Sequence, residues 1–127
     1  MKKFLSILLG SLLAILLIGC GNQVDEATAD KYITKAKEVA ENLTNENYEV
    51  VHAQFDATMK ANLSVDQMAE IAPIIEASGD FEKFDKESIE EKDGNYITVL
   101  VAKYSEEKRV YTISFNAEDE IVGLFVK

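Results

Sequence analysis

Two side chains in this chain of 127 residues carry chemistry that no other residue duplicates: Cys20, the only cysteine, and His52, the only histidine. A thiol can serve as nucleophile, metal ligand, disulfide partner or attachment point for lipid. With no second cysteine, an intrachain disulfide is excluded, and without a cysteine or histidine cluster there is no zinc set. An imidazole is the usual acid or base near neutral pH. On a helix, Asp56 lies four positions after His52 and Glu49 three before it, so a carboxylate can orient the ring. His52 with Asp56 is thus the acid/base candidate. Other reactive patterns are missing: no serine stands in a G-x-S-x-G elbow, and Gly94 and Gly123 stand alone rather than in a phosphate loop. Glu118-Asp119-Glu120 and Asp93-Gly94-Asn95 lack the alternating oxygen ligands of a calcium loop and read as charged turns. No metal or cofactor is implied.

The surroundings of His52 weigh against catalysis. It sits at the edge of the stripe formed by Tyr48, Val51 and Phe55, with surface acids around it. That is the setting of a boundary histidine that partly covers a core, and no motif supplies a catalytic partner. No residue is assigned a catalytic role, and an enzyme is the less favoured reading.

Cys20 closes a different pattern. Met1-Lys2-Lys3 is a short cationic start, and Phe4 to Ile18 is apolar apart from Ser6, Gly10 and Ser11. This is a signal-peptide layout. The run falls short of the ~20 residues that a membrane-spanning helix needs. Leu17-Ile18-Gly19-Cys20 resembles the lipobox of bacterial lipoproteins. That resemblance implies cleavage between Gly19 and Cys20, diacylglycerol on the Cys20 thiol, and residence on the extracytoplasmic face of the cell membrane. Two acyl chains make a durable anchor, because each buried methylene contributes only ~0.8 kcal/mol.

Residues 1–19 then form the signal peptide, 20–28 the lipidated cysteine and a short tether, and 29–127 one domain. Removal of the signal peptide leaves 108 residues, enough for one compact unit. It also removes Lys2 and Lys3, so 11 cations face 23 acids and the side-chain charge is −12. Such a surface repels nucleic acid and anionic headgroups.

The elements that must position these residues fall into two halves. Ala29, Ile33, Ala36, Ala40 and Leu43 recur at helical spacing, with Tyr32 and Val39 widening the stripe. Asn45 to Asn47 is a polar break, and a second helix is expected over Tyr48 to Phe55. Ser64 and Gln67 have capping-box spacing and start a third, expected to run to Ala77 and to bury Met68, Ile71, Ile74 and Ile75. Pro73 should kink or break it, and Gly79 should stop it. From Phe81 the period changes to two. Strands are expected over Phe81 to Glu91, Tyr96 to Ser105, Arg109 to Asn116 and Ile121 to Val126, the first pair joined through Asp93-Gly94-Asn95. Short connections require antiparallel neighbours. The fold class is α+β: three N-terminal helices packed in a curved four-stranded antiparallel sheet.

That order, with TNENYEVVHAQFDATMKANLS, EASGDFEKFD and VYTISFNAEDEIVGLFV, is similar to small domains of the nuclear-transport-factor-two-like (cystatin-like) superfamily. It looks most like a bacterial subset of unknown function, found alone in lipoproteins or ahead of α/β-hydrolase domains. The resemblance implies a cone whose mouth holds a ligand, an active site or nothing, and a histidine–aspartate pair serves some isomerases and dehydratases of the superfamily. Here only Ala57 to Leu63 separates the second and third helices, so a shallow pocket is expected.

The sheet supplies the remaining clue. Tyr96, Leu100, Ala102 and Tyr104 share one face of their strand, and Ile97, Val99 and Val101 the other, so both are apolar where a half-solvated sheet should alternate. Something must cover the second face. Tyr96, Leu100, Tyr104 and Tyr111 are read as the possible binding face, for a second copy or a protein partner, with any small-molecule ligand open. The expectation is a membrane-anchored, non-catalytic binding or dimerisation module; the alternative is a small isomerase- or hydratase-like enzyme using His52.

Overall fold

The structure is a computed structural model describing residues 23–127. The signal peptide, the cleavage position at Gly19 and the lipidation position at Cys20 lie outside the described residues.

Helix α1 spans Glu26–Thr44, three residues earlier than the apolar spacing alone indicates. The cause is a cap: the Asp25 carboxylate accepts the Thr28 amide at 3.1 Å, satisfying one of the free amides of the first turn. Glu26, Ala27 and Thr28, expected outside the domain, thus belong to this helix. The buried stripe is Tyr32, Ala36, Val39, Ala40 and Leu43, with Ala29 and Ile33 at its half-buried flank. A left-handed Glu46, φ 62°, turns the chain into α2, Tyr48–His52. This helix is shorter than expected, but Tyr48, Val51 and Phe55 are buried as the spacing required.

A further helix, α3 at Ala57–Asn62, stands where a plain connection was expected. It buries no residue, so it has no apolar stripe to read. The capping box at Ser64 and Gln67 starts α4, Val65–Met68. A 3-10 turn over Ala69–Ile71 follows, then α5, Ala72–Ala77. Pro73 breaks the segment as expected and sits in the first turn of α5, where a missing amide costs no helical bond. The break resets the helical phase. Ile75 is buried, whereas Ile74, expected inside, is 47% exposed.

The four strands are β1 Phe81–Lys92, β2 Asn95–Tyr104, β3 Lys108–Phe115 and β4 Ile121–Val126, paired antiparallel in chain order. The α+β class is as expected, with the helical layer more fragmented than three helices. Asp93 and Gly94 form the two-residue turn between β1 and β2, with φ of 54° and 82°, as a type I′ hairpin requires. Gly79 has φ +90°, and a Cβ there would lie 2.0 Å from Ser105 Oγ. Only glycine fits at the junction of helices and sheet.

The sheet curves around α1. Its helix-facing side buries Thr98, Leu100, Ala102, Tyr104, Tyr111, Ile113, Phe115 and Ile121 against α1 and α2. Truncating one of the large aliphatics here to alanine costs about 2–5 kcal/mol. Ser78 ties the layers together. Its carbonyl accepts the amides of Glu106 and Glu107, and its hydroxyl donates to Ile74 and accepts from Arg109 Nε at 2.7 Å.

Candidate functional site

His52 sits at the end of α2 and Asp56 at the start of α3. The Asp56 carboxylate caps α3, accepting the Met59 amide at 2.9 Å, and the Asp56 amide donates to the Ile121 carbonyl. His52 is half-buried at the end of α2, its ring 5.2 Å from that of Phe55. Among the described residues no hydrogen bond joins the two. The aspartate that spacing suggested as a ring-orienting group works as a helix cap, a role its sequence neighbours do not reveal because α3 has no apolar pattern.

The four residues read as a binding face divide. Leu100, Tyr104 and Tyr111 are buried beneath the helices, and Tyr96 is half-buried and stacked on Tyr32 with ring centroids 4.4 Å apart. In this monomer they form interior, not surface. The physical reason is area: of two apolar sheet faces, the one carrying the tyrosines and Phe115 removes more surface from water when turned inward.

Inside, the tyrosines form a hydroxyl chain. Thr44 Oγ1 donates to the Ala40 carbonyl at 2.9 Å, so its one proton is spent there. The Tyr104 hydroxyl, 2.7 Å from Thr44 Oγ1, therefore donates to it, and Tyr111, 2.5 Å from Tyr104, donates to Tyr104. Burial, then the bond to Tyr104, pushes the Tyr111 pKa well above its ordinary value. This chain occupies the middle of the cone with protein atoms. The Tyr48 hydroxyl is buried without a hydrogen-bond partner among the described residues, and burial raises its pKa.

A second polar set locks the β3–β4 turn to α1. Tyr32 donates to Asp119 Oδ1 at 2.7 Å, and Lys31 Nζ lies 2.9 Å from the same oxygen. The Tyr32 bond first, and the Lys31 bond second, hold the Asp119 carboxyl below the usual range, while burial and Asp119 push Tyr32 upward. Asp119 takes φ 67°. The acidic turn is structural, and among the described residues no group of histidine, cysteine and carboxylate side chains is arranged to hold a metal ion.

Among the described residues, shallow clefts open on the surface. One of about 260 Å³ is lined by Glu46 to Val50 and Val65; one of about 390 Å³ lies between Thr44, Ile75, Gly79 and Phe81. The most apolar, about 170 Å³, lies between Leu43, Leu63, Met68, Ile71, Leu124 and Val126. His52 lines none of them.

Besides Val50 and Ile74, exposed singly on the helices, an apolar surface lies on the outer side of the sheet. Strand alternation puts Ile97, Val99, Val101, Val110 and Thr112 there, all half-buried, and the row ends at Phe125, opposite Thr112 and 71% exposed. No helix packs on this side among the described residues.

The family model described as "Protein of unknown function (DUF3887)" matches residues 36–124. The chain belongs to this family. The DUF3887 match runs from the middle of α1 to the penultimate pair of residues in β4, so it includes nearly all of the core. The solved structure "NMR structure of protein from Ruminococcus gnavus ATCC 29149" is similar at 23% identity and TM-score 0.63, over 80% of this chain and 90% of that one. At that identity the likeness shows a shared fold. No curated protein matches the DUF3887 chain. No helix of the described residues is long and apolar enough to cross a membrane.

Proposed function

We propose that this protein is a lipoprotein held on the extracytoplasmic face of the cell membrane by a diacylglyceryl group on Cys20, and that its domain is a non-catalytic binding or dimerisation module. Leu17-Ile18-Gly19-Cys20 after an apolar run supports the anchor. The observation that carries the binding role is the uncovered apolar row Ile97, Val99, Val101 and Val110 ending at Phe125. A contiguous apolar patch rimmed by polar residues is the usual mark of an interaction surface. The binding face is thus the reverse of the tyrosine side. His52, which lines none of these clefts and shares no hydrogen bond with Asp56 among the described residues, gives the isomerase or hydratase alternative no geometric support.

Cysteine labelling tests both halves in one experiment. Val99→Cys and, on the exposed side of α1, Glu38→Cys are placed in the full-length chain in intact cells and treated with a membrane-impermeant maleimide. Glu38→Cys should react, and Val99→Cys should react only after the protein is purified away from its partner. Equal labelling of both in cells overturns the covered face; no labelling of Glu38→Cys overturns the location. Replacing Cys20 by alanine should leave the protein unprocessed or release it from membranes.

A further inference from the structure

The two edges of the sheet are built differently. Strands at an edge are normally guarded by charge, proline or bulges, because their free N–H and C=O groups will pair with any strand that approaches. Edge β1 is guarded on both counts: FEKFDKESIEEK has eight charged residues of twelve, and two register shifts interrupt it. Edge β4, IVGLFV, has no charged residue, and its register shift against β3 falls at Val122, ahead of Gly123 to Val126. Its first residue is covered, since Ile121 donates to Gln54 and accepts from Asp56. Beyond that, its outward backbone groups have no backbone partner among the described residues, with α3 lying alongside part of the strand. Val110 and Lys127 exchange both backbone bonds, and antiparallel alternation then points the amides and carbonyls of Phe125 and Gly123 toward β3, and those of Leu124 and Val126 outward.

We propose that a second copy of this chain adds to this edge, β4 against β4 about a two-fold axis at Phe125. This makes specific the dimerisation arm of the function above and shares with it only Phe125. The outward groups lie symmetrically about Phe125, so Leu124 pairs with the partner's Val126 and Val126 with the partner's Leu124, as an isologous contact requires. Phe125 meets the partner's Phe125 as a close cross-strand pair on the outer face, which covers the most exposed aromatic side chain among the described residues. Lys127 falls opposite the partner's Gly123, so no like charges oppose. A register shifted by two would bring Lys127 against Ile121, whose edge Gln54 and Asp56 already occupy. On the helix-facing side, the partner's Leu124 and Val126 flank the apolar cleft lined by Leu63, Met68 and Ile71. Such a strand pair buries less than the roughly 1,200 Å² of a stable interface, so pairing is weak in dilute solution and strengthens where copies share a membrane plane. The formal charge of −10 repels copies at long range, and added salt favours the dimer.

The test is disulfide trapping in membranes with the full-length chain, Cys20 kept for its lipid, Phe125→Cys or Val99→Cys as the added thiol, and the unsubstituted chain as the control for Cys20 itself. Directly opposed residues of this pair type have Cα atoms about 4.5 Å apart, inside the roughly 4.4–6.8 Å that a disulfide spans. Phe125→Cys should give a covalent dimer under mild oxidation, more as salt rises, while Val99→Cys, in the middle of the face, stays monomeric. No dimer from Phe125→Cys overturns edge pairing while leaving a face-bound foreign partner standing. Equal trapping at both positions overturns it in favour of face-to-face stacking. In the chain with Phe125→Lys, slowed amide exchange at Leu124 and Val126 should be lost; slow exchange that persists there also overturns the proposal.

Discussion

Because the Thr44 proton goes to Ala40, the interior hydroxyl chain has a direction, and the two tyrosines should respond unequally to losing their hydroxyls. In Tyr111→Phe the donor at the end of the chain goes, while Tyr104 keeps its bond to Thr44; one net hydrogen bond is lost, about 1 kcal/mol. In Tyr104→Phe the middle goes. That removes a comparable bond and leaves the buried Tyr111 hydroxyl without an acceptor, adding about 1–3 kcal/mol of desolvation, for a total of about 2–4 kcal/mol. The double substitution leaves no orphan donor and costs only the two bonds, about 2 kcal/mol. The effects are therefore non-additive, with the double less damaging than the sum by about 1–3 kcal/mol. Urea unfolding followed by circular dichroism reads this directly, since 1 kcal/mol moves the midpoint by about 0.3–1 M at the slopes of small domains. Additive losses, or Tyr111→Phe as damaging as Tyr104→Phe, would refute the assigned direction.

Two further predictions concern the polar groups around the sheet. The Asp119 carboxyl is held below its ordinary pKa by Tyr32 and then Lys31; its stabilisation is present above the unfolded value near 4 and is lost as pH falls through the folded one. Asp119→Asn should flatten the acid limb of a urea-midpoint profile, and an unchanged limb counts against the lock. Asp56→Ala should lower stability by about 0.5–2 kcal/mol through loss of the α3 cap. His52→Ala should stay within about 0.5 kcal/mol, and marked coupling between the two in thermal melts would restore the acid/base pair.

Much of the architecture was legible because local chemistry is decisive where chain neighbours supply it. Asp93-Gly94 sets a tight hairpin, Ser64 and Gln67 cap each other, Pro73 breaks a helix, and period-two alternation marks β2 and β3. Helix α3 escaped because it buries nothing, and Ile74 was misplaced because a helical period carries no information across a break. The candidate site was harder to read. Asp56 beside His52 has the same spacing whether it orients an imidazole or caps a helix, and only the position of the Met59 amide separates the two.

The choice of inner face belongs to the tertiary structure alone. Tyr104 and Leu100 alternate with Val99 and Val101, all apolar, so strand periodicity defines two faces without ranking them. The ranking comes from what α1 can cover: its stripe of small residues, Ala36 and Ala40 between Tyr32 and Leu43, lets the sheet approach closely enough to enclose the tyrosine side. The valine side, with Phe125 at its end, is left facing outward. Chain-local chemistry settled the strands and their order; long-range packing area settled which of their surfaces faces outward.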